Sequence, residues 1–137
     1  MILAVGATGA VLLAASAVQA APVQGLWSTE TRGGVVRIEP CGPLICGTLE
    51  DAPDLRADPG ATDQRNRDPA KRNRPLKGVT LLSGFRGGPG RWTGGVIYNP
   101  EDGRTYRSEL ILADARTLKV RGCFGPICRT QTWTRLR

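Results

Sequence analysis

The chain has 137 residues, with 19 Lys+Arg against 12 Asp+Glu and a formal net charge of +7; that length suits one domain. It holds no histidine, which excludes the Ser-His-Asp and Cys-His nucleophile systems and every His-ligated metal site. Its 18 Gly and 10 Pro fit a small all-β domain with many turns better than a helical one.

Residues 1–20 carry no charged side chain and run apolar from Met1-Ile2-Leu3 through Val11-Leu12-Leu13. Val18-Gln19-Ala20 then places small residues at −3 and −1, followed by Ala21-Pro22. This predicts a signal peptide cleaved after Ala20. The run is too short and too rich in Ala and Gly for a good membrane span. Its one departure from the pattern is the missing Lys or Arg near the start. The expected mature domain is 21–137, exported to the periplasm or, alternatively, secreted.

Strands follow in chain order. Gln24 to Thr29 is a short one with Gly25-Leu26-Trp27. In Val35-Val36-Arg37-Ile38-Glu39, Val36 and Ile38 share one face while Arg37 and Glu39 share the other. Cys41-Gly-Pro-Leu-Ile-Cys46 is a tight turn, and Ile45 to Glu50 returns. After a long interval come Val79 to Phe85 and Arg91 to Tyr98, where Gly94-Gly95 suggests a bend or bulge. Asn99-Pro100-Glu101-Asp102-Gly103 is a strong turn. Arg104 to Leu112 alternates, with Tyr106, Ser108, Leu110 and Leu112 inward. Thr117 to Phe124 alternates likewise, with Leu118 and Val120 inward. Cys123-Phe-Gly-Pro-Ile-Cys128 repeats the first cysteine cluster, and Cys128 to Leu136 is the eighth strand.

An even count of cysteines in a small exported domain reads as disulfides. Local pairing, Cys41–Cys46 and Cys123–Cys128, has the simplest rationale, with each pair facing across its hairpin. Crossed pairing between the hairpins, and free thiols or a metal, stay open. A Cys-x4-Cys spacing suits neither a zinc knuckle nor the thioredoxin motif.

Asp51 to Lys77 differs from the rest. It has no aromatic residue and interleaves five aspartates with seven Lys or Arg. Loops of this length inside a small domain are often functional or mobile. A solvated, charged loop is the plain expectation, and a partner or anion site the sharper one. Asp68-Pro69-Ala70 reads as a capped helical turn. The aspartates lack the EF-hand spacing.

The seven aromatics, Trp27, Phe85, Trp92, Tyr98, Tyr106, Phe124 and Trp133, all fall in strands. They are expected to form the core or to line a cavity. Eight antiparallel strands can close into a barrel whose interior is just filled or holds one small ligand, and so short a chain predicts a narrow one.

Three stretches are familiar in combination: Gly25-Leu26-Trp27; Trp92-x-Gly94-Gly95-x-Ile97-Tyr98-x-Pro100-x-x-Gly103-x-x-Tyr106; and Leu118-x-Val120-Arg121-Gly122-Cys123 leading into Cys128-Arg129-Thr130-Gln131-Thr132-Trp133-Thr134-Arg135. With Asn66-x-Asp68-Pro69-Ala70 and Arg74-Pro75-Leu76-x-Gly78, the chain closely resembles the bacterial domain of unknown function 2147 family, DUF2147. The resemblance implies an exported, mostly periplasmic protein with an eight-stranded lipocalin-like barrel, and no established activity. Gly25-x-Trp27 is similar to the lipocalin start, where a late arginine packs over the tryptophan at the closed end. Gly25, Trp27, Trp133 and Arg135 are the residues expected to close the barrel.

The leading expectation is a non-enzymatic envelope protein that binds a small apolar or anionic amphiphilic ligand through Trp92, Tyr98, Tyr106 and Arg129. The alternative is an interaction or stress-related protein with a filled barrel, whose basic surface meets an anionic membrane or an acidic protein. An enzyme is not expected: the adjacent carboxylates Glu101 and Asp102 sit in a turn, and no catalytic constellation is present. Neither a cofactor nor a nucleic-acid partner is expected.

Overall fold

The computed structural model describes residues 2–13 and 22–137. Residues 2–13 are exposed and carry no regular secondary structure, while Val18-Gln19-Ala20 and the expected cleavage point lie outside the described residues. Among the described residues no helix is long and apolar enough to cross a membrane.

Eight strands, β1 (Gly25–Ser28), β2 (Val35–Cys41), β3 (Leu44–Asp51), β4 (Thr80–Gly87), β5 (Arg91–Asn99), β6 (Arg104–Asp114), β7 (Thr117–Phe124) and β8 (Ile127–Arg135), pair in sequence order. Every pairing is antiparallel, and β1 closes the barrel against β8. The alternation explains why. Val36 and Ile38 on β2 and Leu118 and Val120 on β7 are buried, while Arg37, Glu39 and Arg121 between or beside them are exposed. With a side-chain period of two, each strand offers the core a single face. At Gly94-Gly95 the β5–β6 register shifts. Gly95 lies so close beneath Phe85 that a Cβ there would stand 2.5 Å from the ring.

Strand direction defines two ends. Residues 22–24, the β2–β3, β4–β5 and β6–β7 turns and residues 136–137 gather at one end, which is closed. The β1–β2, β3–β4, β5–β6 and β7–β8 connections gather at the other, the mouth. The closed half is filled by Val23, Trp27, Val36, Ile38, Phe85, Trp92, Leu110 and Leu118, none more than 2 % exposed.

Trp27 is the plug. Its ring is fully buried and its Nε1 donates to the Val23 carbonyl at 2.9 Å. Arg135, its register partner across the seam, holds its guanidinium carbon 4.4 Å from the ring centroid. The same guanidinium donates to the carbonyls of Ala115 at 2.6 Å and Gln24 at 2.8 Å, and to that of Pro22. One planar group thus ties the β6–β7 turn, the N-terminal approach and the plug together. Trp133 lies one inward position further toward the mouth, opposite Leu118. Gly25 permits this closeness, since a Cβ there would meet the Arg137 carbonyl oxygen at 2.3 Å.

The seam is short. It comprises Trp27↔Arg135 and Ser28↔Thr134, continued past the strand end by Leu26 N–H donating to the Arg137 carbonyl at 2.7 Å. β1 ends before it reaches the mouth half of β8. The freed Thr132 N–H donates instead to the Glu30 carboxylate at 2.9 Å.

The chain carries two disulfides, Cys41–Cys46 and Cys123–Cys128. They sit at opposite ends, one at the closed end and one at the mouth. Cys123 and Cys128 face each other in register. Cys41 does not face Cys46: Cys41 stands opposite Leu44 and Cys46 opposite Glu39, so that bridge runs diagonally.

Candidate functional site

The mouth half of the barrel is hollow. A cavity of about 800 Å³ opens there, walled by Leu49, Leu81, Ile97 and Val120 and reaching down to Trp133 and Gln131. The narrow interior expected from chain length therefore holds only for the closed half. The reason lies in residue size along the strands. Three tryptophans and Phe85 fill the core, whereas Gly122 and Val120 present little volume to the cavity wall. At the floor, Trp133 Nε1 donates to Gln131 Oε1 at 3.0 Å, which leaves the amide nitrogen of Gln131 to other partners.

The segment between β3 and β4 covers part of the mouth; most of its charges are exposed, as expected of a solvated loop, but it is folded and anchored. It folds as a helix, α1 (Pro53–Ala57), and a 3-10 turn at Pro69–Lys71 whose cap Asp68 accepts from Ala70 N–H. Leu55 is buried, and with Ala61 and Leu76 it lines the cavity. The anchor is Asp63, whose side chain is fully buried. Its carboxylate accepts from Tyr98 Oη at 2.5 Å, Asn66 Nδ2 at 2.9 Å and Arg74 Nε at 2.8 Å. Burial pushes the Asp63 pKa up, but the three donors and the Arg74 charge more than offset this and hold it below the usual carboxylate value. Burial together with the Asp63 bond pushes the Tyr98 phenol up to about 12. The segment also lies on the β5–β6 turn: Arg65 and Arg67 donate to the Glu101 and Asp102 carbonyls. At Gly103, where φ is +71°, a Cβ would stand 1.7 Å from the Arg65 carbonyl oxygen.

Charges at the rim divide into occupied and unoccupied groups. Arg32 bridges Asp54 at 2.8 Å and Glu101 at 3.2 Å. Asp102 accepts from the Tyr106 hydroxyl and from Arg104 N–H. These contacts engage the three rim carboxylates. The guanidiniums of Arg104 and Arg129 line the same opening, and among the described residues neither forms an ion pair. Arg104 rests over the Phe124 ring, 5.4 Å from its centroid. Among the described residues no group of three His, Cys, Asp or Glu is arranged to hold a metal.

Of the residues expected to touch a ligand, Tyr98, Tyr106 and Arg129 line this cavity. Trp92 does not: it is buried at the other end of β5, packed near Gly88. Trp92 stands opposite inward Leu110, whereas Tyr98, beyond the register shift at Gly94-Gly95, stands opposite Thr105 on the other face and meets Asp63 of the long segment. Phe124, expected to form the core or line a cavity, lines the opening and is 59 % exposed at the rim, and Tyr106 is half-buried beside it with ring centroids 6.0 Å apart. Leu49, Leu81, Gln131 and the long segment's Leu55 and Leu76 were not singled out by sequence. Inward parity on β3 and β8 is the one signal that pointed to any of them.

Residues 25–135 match the family described as an uncharacterized protein conserved in bacteria, DUF2147. None of the curated proteins matches. Among solved structures, the chain is similar to protein HP1028 from the human pathogen Helicobacter pylori, described as belonging to the lipocalin family. That likeness has 25% identity and a TM-score of 0.74 over 85% of this chain and 84% of that one.

Proposed function

We infer a function for a chain that belongs to the DUF2147 family of bacterial proteins: it is an exported, non-enzymatic carrier that holds a small amphiphilic ligand with an anionic head group. The observation that carries this reading is the mouth-side cavity, apolar in its depth and rimmed by Arg65, Arg104 and Arg129, of which the Arg104 and Arg129 guanidiniums are engaged by neither a carboxylate nor a carbonyl among the described residues. Its volume of about 800 Å³ falls within the range of small-molecule pockets, roughly 300–1,000 Å³. The similarity to a lipocalin supports a small-molecule binding fold. A barrel filled by its own side chains, the alternative reading, would leave no such space.

In this reading each part has its own task. The apolar tail lies against Leu49, Leu81, Ile97, Val120 and Trp133 and gains about 0.8 kcal/mol for each methylene removed from water. The head group stays at the rim between Arg104 and Arg129, where planar guanidiniums offer paired donors to a carboxylate or phosphate. The tail supplies most of the affinity and the arginines supply the choice of head group. Export is supported by the apolar N-terminal run and by two disulfides, which persist in oxidising compartments such as the periplasm. An intact mass beginning at Ala21 in the envelope fraction tests it, and a mass retaining residues 1–20 refutes it.

The ligand reading is tested with monomeric dodecanoate and dodecanol. Trp133 at the cavity floor reports occupancy by fluorescence. The acid is expected to bind roughly three- to tenfold more tightly than the alcohol at low salt, with the difference shrinking at high salt. Arg129→Gln should remove part of that preference. Equal binding of the two, with no salt effect, defeats the anionic head group; no binding of either defeats the carrier reading.

A further inference from the structure

The β7–β8 hairpin carries an apolar tip that the barrel does not use. Phe124 is 59 % exposed and Ile127 is 67 % exposed, on either side of Gly125-Pro126. Apart from the N-terminal run and Leu136, they are the only large hydrophobic side chains that exposed among the described residues. The tip is held firmly. Cys123–Cys128 clamps its base, and Arg107 donates to the Gly125 carbonyl at 2.8 Å. Its surroundings are basic. Arg104 rests over the Phe124 ring, Arg107 holds the turn, and Arg129 follows Cys128 at the cavity opening, where it is exposed. Asp102, a rim carboxylate, is engaged by Tyr106.

An apolar wedge ringed by arginines has the chemistry of an interfacial anchor: side chains enter the acyl boundary while cations meet anionic head groups. We propose that this hairpin docks the protein on an anionic lipid bilayer, with Phe124 and Ile127 inserted and Arg104, Arg107 and Arg129 at the head-group level. Charge complementarity favours a bilayer over a neutral apolar partner, since the chain carries +7 overall. Continuity favours it too. Phe124 and Ile127 also form part of the cavity's lip, so docking turns the opening toward the membrane. An amphiphile could then pass from leaflet to barrel without crossing water. The docking does not depend on the cavity being filled, and the two readings fail separately.

The test uses the full chain and two kinds of vesicle, phosphatidylcholine alone and phosphatidylcholine mixed with phosphatidylglycerol. Co-sedimentation is expected with the mixed vesicles, weakening as salt rises. The double variant Phe124→Ser with Ile127→Ser should bind them roughly tenfold or more weakly. Ile127→Ser alone, at the more exposed position, should fall between the two. Hydrogen exchange on the vesicle-bound protein should show added protection over residues 123–129. Three results would overturn the proposal: no binding to mixed vesicles at low salt, undiminished binding by the double variant, or protection confined to residues 2–13. Dodecanoate uptake measured without vesicles reads the carrier function independently.

Discussion

The two ends of this barrel are built from the same hairpins and do opposite things with them. At the closed end, aromatic side chains meet at full burial and one arginine satisfies three carbonyls from two segments. At the mouth, the strands carry smaller inward residues, the seam has already ended, and a separate segment must be latched on to cover the gap. The difference teaches that an eight-stranded barrel is not uniformly stable along its axis. Packing concentrates stability at one end and leaves the other free to hold something else.

The largest expected effect comes from removing the plug. Trp27→Ala should cost about 3–5 kcal/mol in urea unfolding. Phe124→Ala at the rim should stay within about 0.5 kcal/mol, as exposed positions do. Comparable losses at both positions would break the contrast between the ends.

Next is the latch. Asp63→Ala leaves a buried phenol and a guanidinium without their acceptor, which should cost about 2–3 kcal/mol. Hydrogen exchange should place the loss in residues 61–79 and leave the closed-end strands protected. A uniform loss of protection would mean that the segment and the barrel open as one unit.

Arg135→Lys keeps the charge at the seam but loses the planar stack on Trp27 and the forked contacts to carbonyls. We expect a loss of about 1–2 kcal/mol. Arg104→Lys at the mouth should leave thermal unfolding unchanged, and equal effects would remove Arg135 from its closing role.

The smallest effect is a pH response confined to the latch. The folded pKa of Asp63 lies below its ordinary value of 3.8, so its contribution is present above that pH and is lost as pH falls below it. Tyr98 is shifted from 10.0 to about 12, so its contribution is present below pH 10 and is lost as pH rises toward 12. Exchange in residues 61–79 should quicken at both extremes in the native protein. In Tyr98→Phe the alkaline acceleration should disappear; its persistence would assign it to another group.

Strand order and inward faces are legible in the sequence because a period of two survives in β2, β6 and β7. The depth of a side chain is not. Trp92 and Tyr98 have the same parity by count, but the register shift at Gly94-Gly95 turns them to opposite faces, and the direction of travel puts them at opposite ends. The latch is illegible for a different reason. Asp63 looks like any other acid in a charged stretch, and its donors come from positions 66, 74 and 98. Only the folded chain brings those four groups together. The cavity follows from an absence of bulk at Gly122 and Val120, and small residues leave little trace in a pattern of hydrophobic alternation.

The short seam has a kinetic corollary. Seven of the eight ladders join strands that are neighbours in sequence. The eighth, β1 with β8, brings together groups as far apart as Arg135 and Gln24, separated by 111 positions. Neighbouring hairpins form quickly, and each disulfide spans a sequence separation of only 5. The long-range ladder must wait until the sheet has curled. Closure is then expected to come late in folding. The guanidinium of Arg135 acts on it as a brake: its loss should speed unfolding while leaving the rate of folding nearly unchanged.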